Sequence, residues 1–153
     1  MDKQVMNIIN GFGKLTVAQI EYIEHNLNIN LPKDYKQFLI DFNGGLPQRN
    51  YLTLMLNNLN ETLTLGVLLG INDNPNYNLI SWNIEYKSDM PMSAIIIGTD
   101  YDSGLYIMIT DKEQTGIYYW DNSYNLESSD DNKNVYFVAS TFTEFMELWV
   151  FEK

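Results

Sequence analysis

The sequence predicts an α+β fold: N-terminal helices, a curved and mostly antiparallel sheet of about six strands, and a C-terminal helix packed on the sheet. Apolar residues recur at helical spacing between residues 16 and 43 and again from 141 to 150. Between these stretches, short segments rich in Ile, Val, Leu and Tyr alternate with clusters of Asn, Asp, Ser and Gly, the pattern of strands and turns. With 153 residues, 45% hydrophobic and 14% aromatic, the chain has enough apolar material for one core despite a net charge of -11, so residues 1–153 read as a single domain.

Local chemistry sets the order of elements. Val5, Met6, Ile8 and Ile9 suggest a short opening helix, and Gly11-Phe12-Gly13 reads as a linker. Thr16 and Gln19 form a capping box, so a helix starts at Val17. Val17, Ile20, Ile23 and Leu27 are its inner stripe, and Asn26, Asn28 and Asn30 are its fraying end. Pro32 suits a first helical position, and Asp34 complements the positive end of the dipole. Tyr35, Phe38, Leu39 and Phe42 line a second helix that stops at Asn43-Gly44-Gly45. Residues 51–56 and 62–69 read as a hairpin around Asn57-Asn58-Leu59-Asn60. Leu79, Trp82 and Tyr86 then give a helix that ends before Pro91. Strands at 94–100, 105–110, 116–121 and 135–139 form a meander, with the polar stretch 122–134 as an insertion or mobile segment. The box Thr141…Glu144 opens a last helix that buries Phe142, Phe145, Met146, Trp149 and Val150.

Composition narrows the chemistry. Without cysteine there is no disulfide framework, thiolate metal site or Cys nucleophile, which fits a cytoplasmic location. The N-terminus lacks the basic and apolar blocks of a signal peptide, and no apolar run approaches the roughly 20 residues of a membrane span. His25 stands alone and reads as an exposed or capping residue rather than a ligand. Asp100-Tyr101-Asp102-Ser103-Gly104 opens like a calcium loop, but the twelfth position is Asp111 instead of Glu, so the segment reads as a strand connection. Ser103 sits in no nucleophile elbow. No catalytic residue, metal or cofactor is expected, and the chain reads as a non-enzyme.

Charge is the most informative feature. Residues 1–75 carry five cations against seven carboxylates, and residues 76–153 carry four against thirteen. Acid therefore concentrates in the sheet half, where strand ends can build a surface that repels nucleic-acid phosphates and attracts a basic protein. In Tyr118-Tyr119-Trp120 one ring should face the core and two the other side of the sheet, available as hydrophobic anchors. Asp100, Asp102, Trp120 and Asp121 are the expected partner-binding residues.

The order of these motifs resembles the SUKH superfamily, which contains the SMI/KNR-like cell-wall regulators and many bacterial immunity proteins. The resemblance runs from the helical pair, which ends in Phe42-Asn43-Gly44-Gly45, through Leu65-Gly66, Met90-Pro91 and Ile97-Gly98-Thr99-Asp100. It continues through Gly104-Leu105-Tyr106 and Ile117-Tyr118-Tyr119-Trp120-Asp121 to Ala139-Ser140-Thr141-Phe142-Thr143-Glu144-Phe145, with Thr141 where Ser is commoner. It implies an immunity protein that neutralises a cognate toxin domain, such as a nuclease with a basic cleft, by occluding its active site. The alternative it implies is a non-catalytic scaffold of the fungal regulator type. Neither reading involves direct nucleic-acid or membrane binding.

Overall fold

A computed structural model describes residues 2–49, 52–56 and 59–152. Tyr51 and the turn residues Asn57 and Asn58 lie outside the described residues. The fold is α+β. Its helices are α1 (Asp2–Ile8), α2 (Val17–Leu27), α3 (Lys33–Phe42), α4 (Leu79–Glu85) and α5 (Phe142–Glu147). A seven-stranded antiparallel sheet contains β1 (Ile9–Gly11), β2 (Gly45–Pro47), β5 (Val67–Leu68), β6 (Ala94–Thr99), β7 (Leu105–Ile109), β8 (Gly116–Trp120) and β9 (Val135–Ala139), in that spatial order. A second sheet of β10 (Val150–Phe151), β3 (Leu52–Leu56) and β4 (Glu61–Thr64) packs beside it in the order β10-β3-β4. The buried side chains of the helices and of both sheets form one continuous cluster.

The capping box at Thr16 and Gln19 forms as the sequence requires, with both reciprocal hydrogen bonds present. Pro32 stands one position earlier than expected, as the residue that caps α3. Asn43 ends α3 in the left-handed conformation, and Gly44 follows at φ +77, where a Cβ would lie 2.4 Å from the Leu68 carbonyl oxygen. The buried Asn43 side chain accepts the Ile71 N–H at 2.7 Å and donates to the Ile71 carbonyl at 2.9 Å. It therefore pairs with both backbone groups of one residue, as a neighbouring strand would.

Asn83 of α4 does the same for β6. It accepts the Ile96 N–H at 2.7 Å and donates to the Ile96 carbonyl at 2.9 Å. β5 last touches β6 where the Leu69 N–H reaches the Ile97 carbonyl. Beyond that point the buried amide of Asn83 takes the place of the missing strand, because an unpaired buried backbone pair is costly.

Several expectations change. Val17, expected on the inner stripe of α2, is 64% exposed, so Ile20 and Ile23 are the residues that bury that face. Ile9, expected in the opening helix, begins the first strand of the seven-stranded sheet, and Gly11 of the supposed linker ends that strand paired with Gly45. The stretch 62–69 is two strands in different sheets: β4 runs beside β3, and the chain crosses at Leu65-Gly66 to enter the large sheet as β5. A side chain at Gly66 would approach the Asp100 carbonyl to 2.7 Å, so the crossover runs hard against the end of β6. The last helix stops at Glu147, and Val150, expected to be buried, is 60% exposed on β10, where it pairs with Thr53. The segment 122–134 is folded around buried acceptors rather than standing free, as described below.

Candidate functional site

β6 to β9 present two faces, and register assigns them. Tyr106 and Tyr119 pair and lie on one face, where Tyr106 meets Phe145 and Trp149 of the C-terminal region. On the other face lie Ile96, Ile107, Tyr118 and Phe137 in one row, and Thr99, Leu105, Trp120 and Val135 in the next. Helix α4 covers the β6 side of this second face. Its extension Tyr86 stacks on Trp82 with centroids 5.7 Å apart and meets Trp120 edge-on at 5.9 Å. The β8 and β9 side is less covered: Tyr118 and Trp120 are half-buried, and Val135 and Phe137 are exposed. Tyr118 and Phe137 pack edge to face at 5.6 Å. One ring of Tyr118-Tyr119-Trp120 thus faces the core and two face the other side, as alternation requires.

The four expected site residues separate into two kinds. Asp102 is exposed in the β6–β7 turn, and Trp120 is half-buried on the α4 face. Asp100 is only 8% exposed, and Asp121 is fully buried, so their carboxylates face inward. Asp100 accepts the Gly104 N–H at 2.8 Å and the Tyr119 hydroxyl. Gly104 is needed there, since a Cβ would overlap the Tyr119 ring. Burial pushes the Asp100 carboxyl above its ordinary value, and the charge of Asp102 adds to this. The Tyr119 and Gly104 hydrogen bonds partly offset it. Tyr119 is pushed up in turn, by burial first and then by its bond to Asp100.

Asp121 organises the longer loop. It accepts the N–H groups of Asn125 and Leu126 at 2.9 and 2.7 Å and the Ser129 hydroxyl at 2.6 Å. Ser128 and Ser129 also reach the Tyr136 hydroxyl, and Lys133 stands over the Tyr136 ring at 5.6 Å. Asn125 donates to Ser103 at 2.9 Å, which joins this loop to the β6–β7 turn. The two connections therefore form one end of the sheet. Asp102, Glu127, Asp130 and Asp131 are exposed on them, with Lys133 as the cation among these described residues.

The acidic end expected from charge counting thus exists, but its outward carboxylates differ in part from those singled out. Burial decided this. An Asp at a strand end looks the same in sequence whether it faces solvent or receives loop donors, although a following polar stretch with Ser129 in it offers the kind of donor such a buried acceptor needs. The contributions of Trp82 and Tyr86 depend on where α4 docks, which spacing alone does not give. The Asp100-to-Gly104 segment is a strand connection, and among the described residues no group of three or more His, Cys, Asp and Glu side chains could hold a metal ion. His25 lies exposed in the last turn of α2.

The model of the SMI1 / KNR4 family (SUKH-1) matches residues 14–148. The chain belongs to this SUKH family. It has immunity proteins and regulator-type proteins among its members, so protein–protein interaction is the broad role the family suggests. No curated protein matches the chain. No helix among the described residues is long and apolar enough to cross a membrane. In SUKH terms, the Phe42-Asn43-Gly44-Gly45 motif is the α3 stop and the amide clamp on Ile71, and the Ile97-Gly98-Thr99-Asp100 motif is the end of β6 with its buried turn-holding carboxylate.

Proposed function

We propose that this SUKH protein is a cytoplasmic immunity protein that binds a cognate toxin domain, a nuclease with a basic active-site cleft, and neutralises it by occlusion rather than by catalysis. The observation that carries this reading is the joined acidic end of the sheet, with Asp102, Glu127, Asp130 and Asp131 outward beside the half-covered ring of Trp120. Exposed carboxylates on the two joined connections present negative charge to a basic cleft, as phosphates do, and an adjacent aromatic supplies a desolvated anchor. Asp102 and Trp120 remain the proposed contact residues. Asp100 and Asp121 support them from within by holding the two loops in place.

The test is co-expression with the C-terminal domain encoded by the neighbouring gene, scored by growth rescue, together with the Kd of the purified pair as a function of salt. Rescue, with a Kd that weakens at high salt and on Asp102→Lys or Trp120→Ala, supports occlusion by this surface. Tight binding that ignores both substitutions moves the interface elsewhere. Absence of both rescue and binding rejects the immunity reading.

A further inference from the structure

We propose that the outer edge of β9 is a docking site for an extended, basic strand of a partner protein, which adds to the seven-stranded sheet as its next strand. β9 closes the strand order, and among the described residues β8 is its one strand neighbour. The Asp121 N–H donates to the Asn134 carbonyl at 2.7 Å, so Asn134 points toward β8. Backbone direction alternates along an antiparallel strand, and therefore Val135 and Phe137 direct their N–H and C=O groups to the open side.

Their side chains are exposed at 41% and 53% and border a groove of about 410 Å³, whose far wall includes Met55 of β3 and Leu148 after α5. An added strand would hydrogen-bond to β9 and lay side chains against these apolar groups, the two components of strand-addition recognition.

Native edges are blunted by lysines and bulges. Here the register shift falls at Val138, beyond the outward pair, and Lys133 stands over Tyr136. The shift therefore lies outside Val135 to Phe137, and Lys133 is the one lysine that lines the groove among the described residues.

Charge selects the occupant. Exposed Asp130 and Asp131 precede β9, and exposed Glu144 lines the groove together with Lys133, which leaves three carboxylates against one cation around this edge. A second copy of a chain with net charge -11 brings like charge to this edge, whereas a basic strand brings complementary charge. The identification of that partner with a toxin rests on the function proposed above, but the edge itself can be tested without one.

The probe is a blocked heptapeptide of alternating Lys and Val, compared with the same peptide N-methylated at alternate amides and with a Glu–Val analogue. Binding is followed by amide NMR on the intact protein. The expected result is that the Lys–Val peptide slows exchange of the Val135 and Phe137 amides by about tenfold or more at saturation, while both comparison peptides leave it unchanged. Phe137→Lys should weaken the peptide by about tenfold, while the urea transition stays cooperative with an unchanged slope and the loss of the Tyr118 contact lowers its midpoint only modestly.

Equal binding by the N-methylated peptide overturns the proposal, as do shifts that map away from β9 or unchanged exchange at millimolar peptide. Concentration-dependent dimerisation of the protein alone that protects the same amides also overturns it, because the occupant is then a second copy. If the peptide binds but co-expression gives no rescue, the immunity reading fails alone. If Phe137→Lys leaves rescue and toxin affinity intact, the edge fails as the toxin's seat and the immunity reading stands.

Discussion

Asn43 and Asn83 show how a single side chain can act as a strand. Each pairs with both backbone groups of one residue, Asn83 with Ile96 where β6 lacks a strand neighbour and Asn43 with Ile71 in the segment that follows β5. Removing such an amide leaves a buried donor and acceptor unpaired, which costs about 1–3 kcal/mol per unsatisfied group. Asn83→Ala is therefore expected to lower stability by about 3 kcal/mol, read from urea midpoints at constant slope. A loss below about 0.5 kcal/mol would mean that relaxation or water replaces the amide. Asp100 makes a prediction of a different kind. Its folded carboxyl titrates above the ordinary value because of burial, so the folded state retains a proton that the unfolded state has already released. The stability this contributes is full below the ordinary carboxylate value and is lost as pH rises through the raised one. Asp100→Asn keeps a neutral side chain throughout. Compared with the variant, the native protein should lose stability more steeply as pH rises from the ordinary carboxylate value through the raised one. Parallel pH profiles of the two urea midpoints would rule this out.

At the scale of elements, punctuation carried most of the legible information. The Thr16 box, the Asn43 stop and the Thr141 cap are local devices whose donors and acceptors lie within three or four residues of one another. Sequence therefore shows them directly. What it did not show were decisions made by distant segments: that residues 62–69 divide at Gly66 between two sheets, that Gly11 finds Gly45, and that the chain after Glu147 leaves the helix to pair with β3. Each depends on a partner remote in sequence, and strand propensity is weak enough for such pairing to override it. The candidate site divides in the same way. Acid at one end of the sheet was legible from counting, while the inward turn of Asp121 was not, because its role is set by Asn125, Leu126 and Ser129 folding back over it. That role is open to test. Asp121→Ala removes the acceptor for all three and should cost about 3 kcal/mol. It should also open residues 122–134 to limited proteolysis, whereas Asp131→Ala at the exposed surface should leave the cleavage pattern unchanged. Equal protection in both variants would mean that the loop is held by Tyr136 and its serine contacts alone.

For the molecule as a whole, the question is how far its charge acts as a net quantity and how far as a local surface. With a net charge of -11, any basic partner is attracted from every side at low ionic strength. The acidic groups are nevertheless divided between the two ends of the sheet: Asp102, Glu127, Asp130 and Asp131 at one, and Asp111 and Glu113 in the β7–β8 turn at the other. The strands between them have five residues, or roughly 17 Å at about 3.4 Å per residue. That exceeds two Debye lengths at physiological salt, each about 8 Å. Charge at the far end is therefore screened from a partner seated at the joined loops, although it still contributes at low salt. Asp102→Lys and Glu113→Lys change the net charge equally and differ only in position. At low salt both should slow association with a basic toxin domain. At physiological salt Asp102→Lys should remain roughly threefold or more slower than the native protein, while Glu113→Lys should recover the native rate, measured by stopped-flow mixing. If the two variants track each other at every salt concentration, net charge alone governs the encounter, and the acidic end has no privileged role.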